Sequence, residues 1–206
     1  DTERTTTHPV KAYMEAHIEQ GSVLEDTVKT IGAVTGIQGS RRFQINITGV
    51  SAHAGTTPLK SRRDALQAAL RCLADLNKVM EDPDDILRYT VGKLIISPNS
   101  PNAVASRAEF SIDLRHPDET VLERLSGEIG LVCAKAAPPC KIEVIQTFHK
   151  TPTRFAPKLI SAVEHSARAL GFPAMLLPSG AFHDAGMMAP YCPSGMIFVP
   201  CSDGIS

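Results

Sequence analysis

Apolar and polar positions alternate most regularly between residues 40 and 149. Phe43, Ile45 and Ile47 alternate with Gln44, Asn46 and Thr48, the period of a half-buried strand. After a Gly/Thr/Pro turn, Ser61 and Asp64 form a capping-box-like start. Leu66, Ala69, Leu70, Leu73, Leu76 and Met80 then recur at helical spacing until Pro83. Residues 88–96 read as a second strand. In a third, Val104, Ser106, Ala108, Phe110, Ile112 and Leu114 share one face, with Arg107, Glu109 and Asp113 on the other. Asp118 opens a helix along Val121, Leu122, Leu125, Ile129 and Val132 that ends near Pro138-Pro139; Ile142 and Val144 mark a closing strand. The order β-α-β-β-α-β predicts a ferredoxin-like unit, two helices over one face of a four-stranded antiparallel sheet.

The flanks follow another plan. Residues 9–20 allow a strand or a short helix. Pro157 to Leu170 predicts a helix with Leu159, Ile160, Val163, Ala167 and Leu170 inward and Gly171 as its stop. Met196 to Val199 is a short apolar strand. Alternating short strands and helices suit the edge of an α/β domain. The expected fold is therefore α/β, with residues 37–150 inserted as a ferredoxin-like unit between 1–36 and 151–206, two parts of a larger domain. The chain has no initiator Met and stops just after an apolar run, which reads as a piece of a longer polypeptide.

Composition narrows the class. Of 206 residues, 43 % are hydrophobic and 21 % charged, ordinary values for a globular chain. A net charge of −1 gives no electrostatic reason to expect nucleic acid or an anionic membrane as partner. No apolar run approaches the roughly 20 residues that span a bilayer, and the polar stretch Asp1 to His8 is no secretory signal. Five cysteines without C-x-x-C spacing argue against a disulfide framework or a cysteine zinc site. They point to a reducing, cytoplasmic setting.

Four segments are richer in His, Gly and polar residues than packing needs. In Glu15-Ala16-His17-Ile18-Glu19-Gln20-Gly21, a His among carboxylates is either a metal ligand with an acidic surround or a structural residue. In Gly49-Val50-Ser51-Ala52-His53-Ala54-Gly55-Thr56-Thr57-Pro58, small residues leave His53 open to donate a hydrogen bond, or form a solvated turn. Asn102 and Arg115 stand at opposite ends of one strand. Arg115 has the fork for a substrate carboxylate, or an ion pair with Asp113 or Asp118. In Ser179-Gly180-Ala181-Phe182-His183-Asp184-Ala185, His183 is either a site residue on a loop or the start of a helix. No Walker-type loop, H-E-x-x-H or G-x-S-x-G occurs.

Together these segments resemble the amidase/hydantoinase/carbamoylase group of the M20 metallopeptidase-like superfamily, which includes N-carbamoyl-L-amino-acid hydrolases and allantoate amidohydrolases. The resemblance rests on His17-Ile18-Glu19-Gln20-Gly21, Gly36-Ile37-Gln38-Gly39, Ser51-Ala52-His53-Ala54-Gly55-Thr56-Thr57-Pro58, Asn102 with Asp113-Leu114-Arg115-His116-Pro117, Ser179-Gly180-Ala181 with His183-Asp184-Ala185, and Gly195-Met196-Ile197-Phe198 with Gly204-Ile205-Ser206. It implies a di-metal catalytic domain with a ferredoxin-like lid that also forms a homodimer. His17 would ligate one of two divalent ions, usually zinc, sometimes manganese, cobalt or nickel. His53 would stabilise an oxyanion in the partner's site, and Asn102 and Arg115 would bind the substrate carboxylate. Gln38 would be a further substrate contact, with Gln20 beside the metal site and His183 a candidate contact. The implied reaction is metal-assisted hydrolysis of a carbamoyl or ureido C–N bond.

The family's upstream ligands and general-base Glu have no counterpart here, and its last His ligand would follow Ser206. On its own the chain would keep one ligand and be inactive. The competing expectations are a peptidase or aminoacylase of the same superfamily, and a non-catalytic dimerising module. Low aromatic content, 5 %, speaks against RNA.

Overall fold

A computed structural model describes residues 10–204. In chain order the elements are β1 (Tyr13–Ile18), α1 (Val23–Asp26), β2 (Ile31–Ile37), β3 (Gly39–Thr48), β4 (Ala52–His53), α2 (Ala65–Val79), β5 (Arg88–Ser97), β6 (Ala103–Val104), β7 (Arg107–His116), α3 (Glu119–Ala136), β8 (Lys141–Lys150), β9 (Thr153–Arg154), α4 (Pro157–Ala169), β10 (Ala174–Ser179), α5 (Asp184–Met188) and β11 (Ser194–Val199). They make a mixed α/β protein of two units. One unit is Gly39–Thr151; the other joins the described residues up to Gln38 with those from Pro152 on.

The Gly39–Thr151 unit is built on β3, whose inner row Phe43, Ile45 and Ile47 is buried. β3 pairs antiparallel with β7 on one side and β8 on the other, and β5 pairs antiparallel with β7, giving the order β5-β7-β3-β8. Leu76 and Cys72 of α2, and Leu122, Leu125, Ile129 and Cys133 of α3, pack with Ala108, Phe110, Ile112 and Leu114 of β7 in one core. Each large apolar side chain fully buried there contributes about 1.5–3 kcal/mol.

Several local expectations are corrected. Asp64, not Ser61, caps α2: its carboxylate accepts from the Leu66 and Gln67 amides at 3.0 and 3.2 Å, while Ser61 closes a 3-10 turn, Leu59–Ser61. Leu70 is 46 % exposed, because the inner face of α2 runs instead through Ala65, Ala68, Ala69, Cys72 and Leu76. Val104 belongs to the short ribbon β4-β6 and not to β7. Leu170 is 71 % exposed, since it caps α4 rather than lying on its inner face.

The second unit holds a sheet ordered β1-β11-β2-β10, with β9 also on β2. Residues 13–18, open in sequence to strand or helix, form β1, which runs parallel to β11; Pro9 lies outside the described residues. β2 and β10 are short, and β2 contains Gly32 and Gly36, so neither announced itself by periodicity. At Gly36 a Cβ would stand 2.2 Å from the Thr153 carbonyl oxygen, so β9 can reach β2 only past a glycine. Leu24, Val34, Ile37, Leu177, Ala185, Met196 and Phe198 make the core. Among the described residues no helix is long and apolar enough to cross a membrane.

Candidate active site

The β1 and β11 register sets His17 opposite Phe198 near the ends of two parallel strands. The His17 ring lies edge-on to His183, centroids 4.6 Å apart, and His183 is edge-on to Phe198 at 5.7 Å. His17 Nδ1 is 2.9 Å from the Ile18 carbonyl oxygen. A carbonyl only accepts, so Nδ1 carries the hydrogen and the lone pair is on Nε2. His183 is the residue before α5 and is buried. Its Nε2 donates to Ser179 Oγ at 3.0 Å, since that hydroxyl spends its own hydrogen on the Ala181 carbonyl at 2.9 Å. Burial, then the neighbouring His17, holds the His183 imidazole below its ordinary pKa. Glu15 Oε2 accepts from the Ala185 amide at 2.7 Å, and its other oxygen is 3.9 Å from His183 Nδ1.

The residues after His17 have local duties that the sequence did not disclose. Glu19 is buried and accepts from the Val23 and Leu24 amides at 2.9 and 2.8 Å, supplying the first turn of α1 with the cap that Ser22 does not give. Gln20 sits at φ 58°. Gly21 packs so tightly that a Cβ would meet Glu19 Oε1 at 2.9 Å. Gly204, at φ 68°, lies against the Gly21 backbone; Ile205 and Ser206 of the same motif lie outside the described residues. Gln38 donates its amide to the Ser179 carbonyl at 2.9 Å, and its side-chain Oε1 is shut from solvent without a partner.

In the Gly39–Thr151 unit, His53 is held differently. Its Nδ1 accepts from the Gly55 and Thr56 amides at 3.1 and 3.2 Å. The lone pair is therefore on Nδ1, and the hydrogen is on Nε2 of an exposed ring. β4 pairs with β6, and the Ala54 amide donates to the Asn102 carbonyl at 2.9 Å, which brings His53 and Asn102 into one neighbourhood. Asn102 Oδ1 accepts from Ser100 Oγ at 2.6 Å. Arg115 is elsewhere. It lies near the far end of β7, where its Nε and Nη2 make a fork on Asp113, both at 2.9 Å. Burial works to raise the Asp113 carboxyl, but Arg115 and then Arg42 hold it below its ordinary value.

A model of Peptidase family M20/M25/M40 matches residues 2–206. The chain belongs to this M20 family. It is 36 % identical to an N-carbamoyl-L-amino-acid amidohydrolase of Paenarthrobacter aurescens, over 96 % of this chain and 48 % of that protein. It is 35 % identical to the allantoate amidohydrolase of Bacillus subtilis, with the same coverage. Among solved structures, an amidase of the hydantoinase/carbamoylase family from Burkholderia multivorans matches with a TM-score of 0.92 and 40 % identity, over 97 % of this chain and 49 % of that one. This M20 chain spans about half the length of the curated relatives it matches.

One histidine of the M20 chain is oriented as a metal donor would be. With Nδ1 hydrogen-bonded to a carbonyl, His17 has the orientation in which Nε2 binds a cation. Among the described residues no group of three His, Cys, Asp or Glu side chains is arranged to hold one. His17 would supply a single donor.

Proposed function

We propose that the full-length M20 protein is a metal-dependent amidohydrolase that cleaves a carbamoyl or ureido C–N bond in a small carboxylate-bearing substrate. The observation that carries this reading is the opposite hydrogen placement on two histidines: His17 offers a lone pair at Nε2 and His53 a donor at Nε2. A hydrolytic site on an amide needs one of each, a ligand for the cation and a donor for the oxygen that becomes negative. The names of the relatives, N-carbamoyl-L-amino-acid and allantoate amidohydrolases, supply the substrate class.

Two divalent ions, zinc first and manganese, cobalt or nickel as alternatives, would supply activated water at neutral pH when bound. This chain's residues do the rest. His17 holds one donor position. His53 gives its Nε2 hydrogen to the developing oxyanion, with no change of tautomer needed. Gln38 Oε1, buried and unpartnered, accepts from a ureido N–H. Gln20 is a further contact. Arg115 and Asn102 grip the substrate carboxylate and fix its orientation.

Asn102 and Arg115 cannot share a carboxylate within one copy. The loop that carries Asn102 and His53 adjoins the Arg107 end of β7, and eight residue steps of strand, about 27 Å, separate Arg107 from Arg115. In this reading the Gly39–Thr151 unit is a ferredoxin-like lid and dimerisation element, and one site takes His53 and Asn102 from one copy and Arg115 from the other. Mixing inactive His53→Ala and Arg115→Ala proteins tests it. At equal amounts half the dimers are mixed and each has one intact site, so about a quarter of wild-type activity returns on N-carbamoyl amino acids or allantoate. No recovery on mixing overturns the shared site. Turnover of dipeptides in preference to ureido substrates overturns the substrate class.

A further inference from the structure

The loop that holds His53 has its backbone almost fully engaged, and one side chain closes the arrangement. The Ala54 amide goes to the Asn102 carbonyl, the Thr57 amide to the His53 carbonyl at 3.1 Å, and the Gly55 and Thr56 amides to His53 Nδ1. The two carbonyls facing the other way, Ala54 and Thr57, both accept from the half-buried Arg62, through Nη2 at 2.6 Å and Nε at 3.0 Å. Arg62 is itself firmly placed. It ends the 3-10 turn by donating its amide to the Leu59 carbonyl, and it stands two residues before Asp64, the cap of α2. The next residue, Arg63, is clamped to Val50, and Gly49 packs so close that a Cβ would stand 2.0 Å from the Arg63 carbonyl oxygen.

A trans peptide unit points its C=O and its N–H in opposite directions. The Ala54 carbonyl and the Gly55 amide belong to one such unit. A guanidinium that holds Ala54 O therefore aims Gly55 N–H at the imidazole on the other side. The Thr57 bond pins the far end of the same loop, and the planar fork is what lets one side chain hold both. Gly55 is also the residue that lets the ring lie close, since a Cβ there would stand 3.3 Å from His53 Cε1.

We propose that Arg62 is a positioning residue which, by orienting the Ala54–Gly55 peptide, keeps His53 as the tautomer that donates from Nε2. The catalytic half of this claim rests on the oxyanion role given to His53 above; the tautomer half does not. The test uses the full-length enzyme with ¹⁵N-labelled histidine, as wild type, Arg62→Ala, Arg62→Lys, His53→Ala and the Arg62→Ala/His53→Ala double variant.

In wild type the His53 ring nitrogens should show one Nε2–H tautomer. In Arg62→Ala they should move toward the average of two tautomers, kcat should fall about 10-fold and KM should stay within about twofold, as for a loss felt only in the transition state. Arg62→Lys, a point donor that cannot hold both carbonyls in a fork, should fall between. The double variant should be no slower than His53→Ala alone, because Arg62 acts through that ring. Unchanged His53 ring shifts in both Arg62 variants overturn the proposal, as does a further kcat loss in the double variant. Normal kcat in His53→Ala would instead sink the oxyanion role, and the ring shifts would still decide what Arg62 does.

Discussion

His17 and His53 are the same residue type on short strands, and backbone groups set them in opposite states. In the unit that carries β1, a carbonyl takes the Nδ1 hydrogen of His17; in the Gly39–Thr151 unit, two amides face Nδ1 of His53. A strand end offers a carbonyl to the ring beside it, whereas a tight glycine-containing turn offers converging N–H groups. The difference shows that the hydrogen placement on these two imidazoles is chosen by the conformation of the next few peptide units.

Removing His17 should break the comparison most completely. In the full-length enzyme, His17→Ala should lose one metal equivalent by elemental analysis and fall below detectable turnover; full metal content would sink the ligand role. His53→Ala should keep its metal and lower kcat by about 10²–10³-fold, the loss typical of one oxyanion donor. Glycine substitutions should separate the two units. Gly36→Ala drives a methyl into the Thr153 carbonyl and Gly49→Ala into that of Arg63. Each should cost about 1–3 kcal/mol or more by chemical denaturation, the first disturbing His17 and the second His53. Equal disturbance of both rings in ¹⁵N spectra would contradict that separation.

The smallest effect is one of pH. Asp113 has a folded pKa held below its ordinary 3.8, so the folded state binds fewer protons than the unfolded one. Its contribution is complete above that value and fades as pH falls through the lower folded value. Thermal melts from about pH 6 to about pH 2.5 should show a shallower acid loss for Asp113→Asn than for wild type.

Much of the Gly39–Thr151 unit was legible because its strands bury one face and its helices carry capping aspartates. Asp118 accepts from Thr120 as the pattern implied. Leu70 was misassigned by counting a leucine as inward where alanines and Cys72 fill the narrow inner face of α2, and Leu170 because that residue caps α4. The other sheet was harder, because Ile31–Ile37 mixes glycines with apolar residues and carries no clean period. At the candidate site the motifs singled out segments of the chain but not the local mechanics of each. Glu19 as a cap for α1 and Arg62 as a fork on two carbonyls depend on where peptide groups point, which spacing does not report.

The central strand β7 has a consequence for how this protein can vary. It is hydrogen-bonded along both edges, to β3 and to β5. Dropping one residue would turn its inner row outward, and dropping two would have to be matched in both neighbours at once. Surface loops are free to lengthen, but the span from Arg107 to Arg115 is held by an unbroken ladder to β3, with β5 on the other edge shifting register between Thr90 and Lys93. Any redesign for a larger substrate would have to find its room in the loops and side chains, because the frame between the two ends of that strand will not stretch.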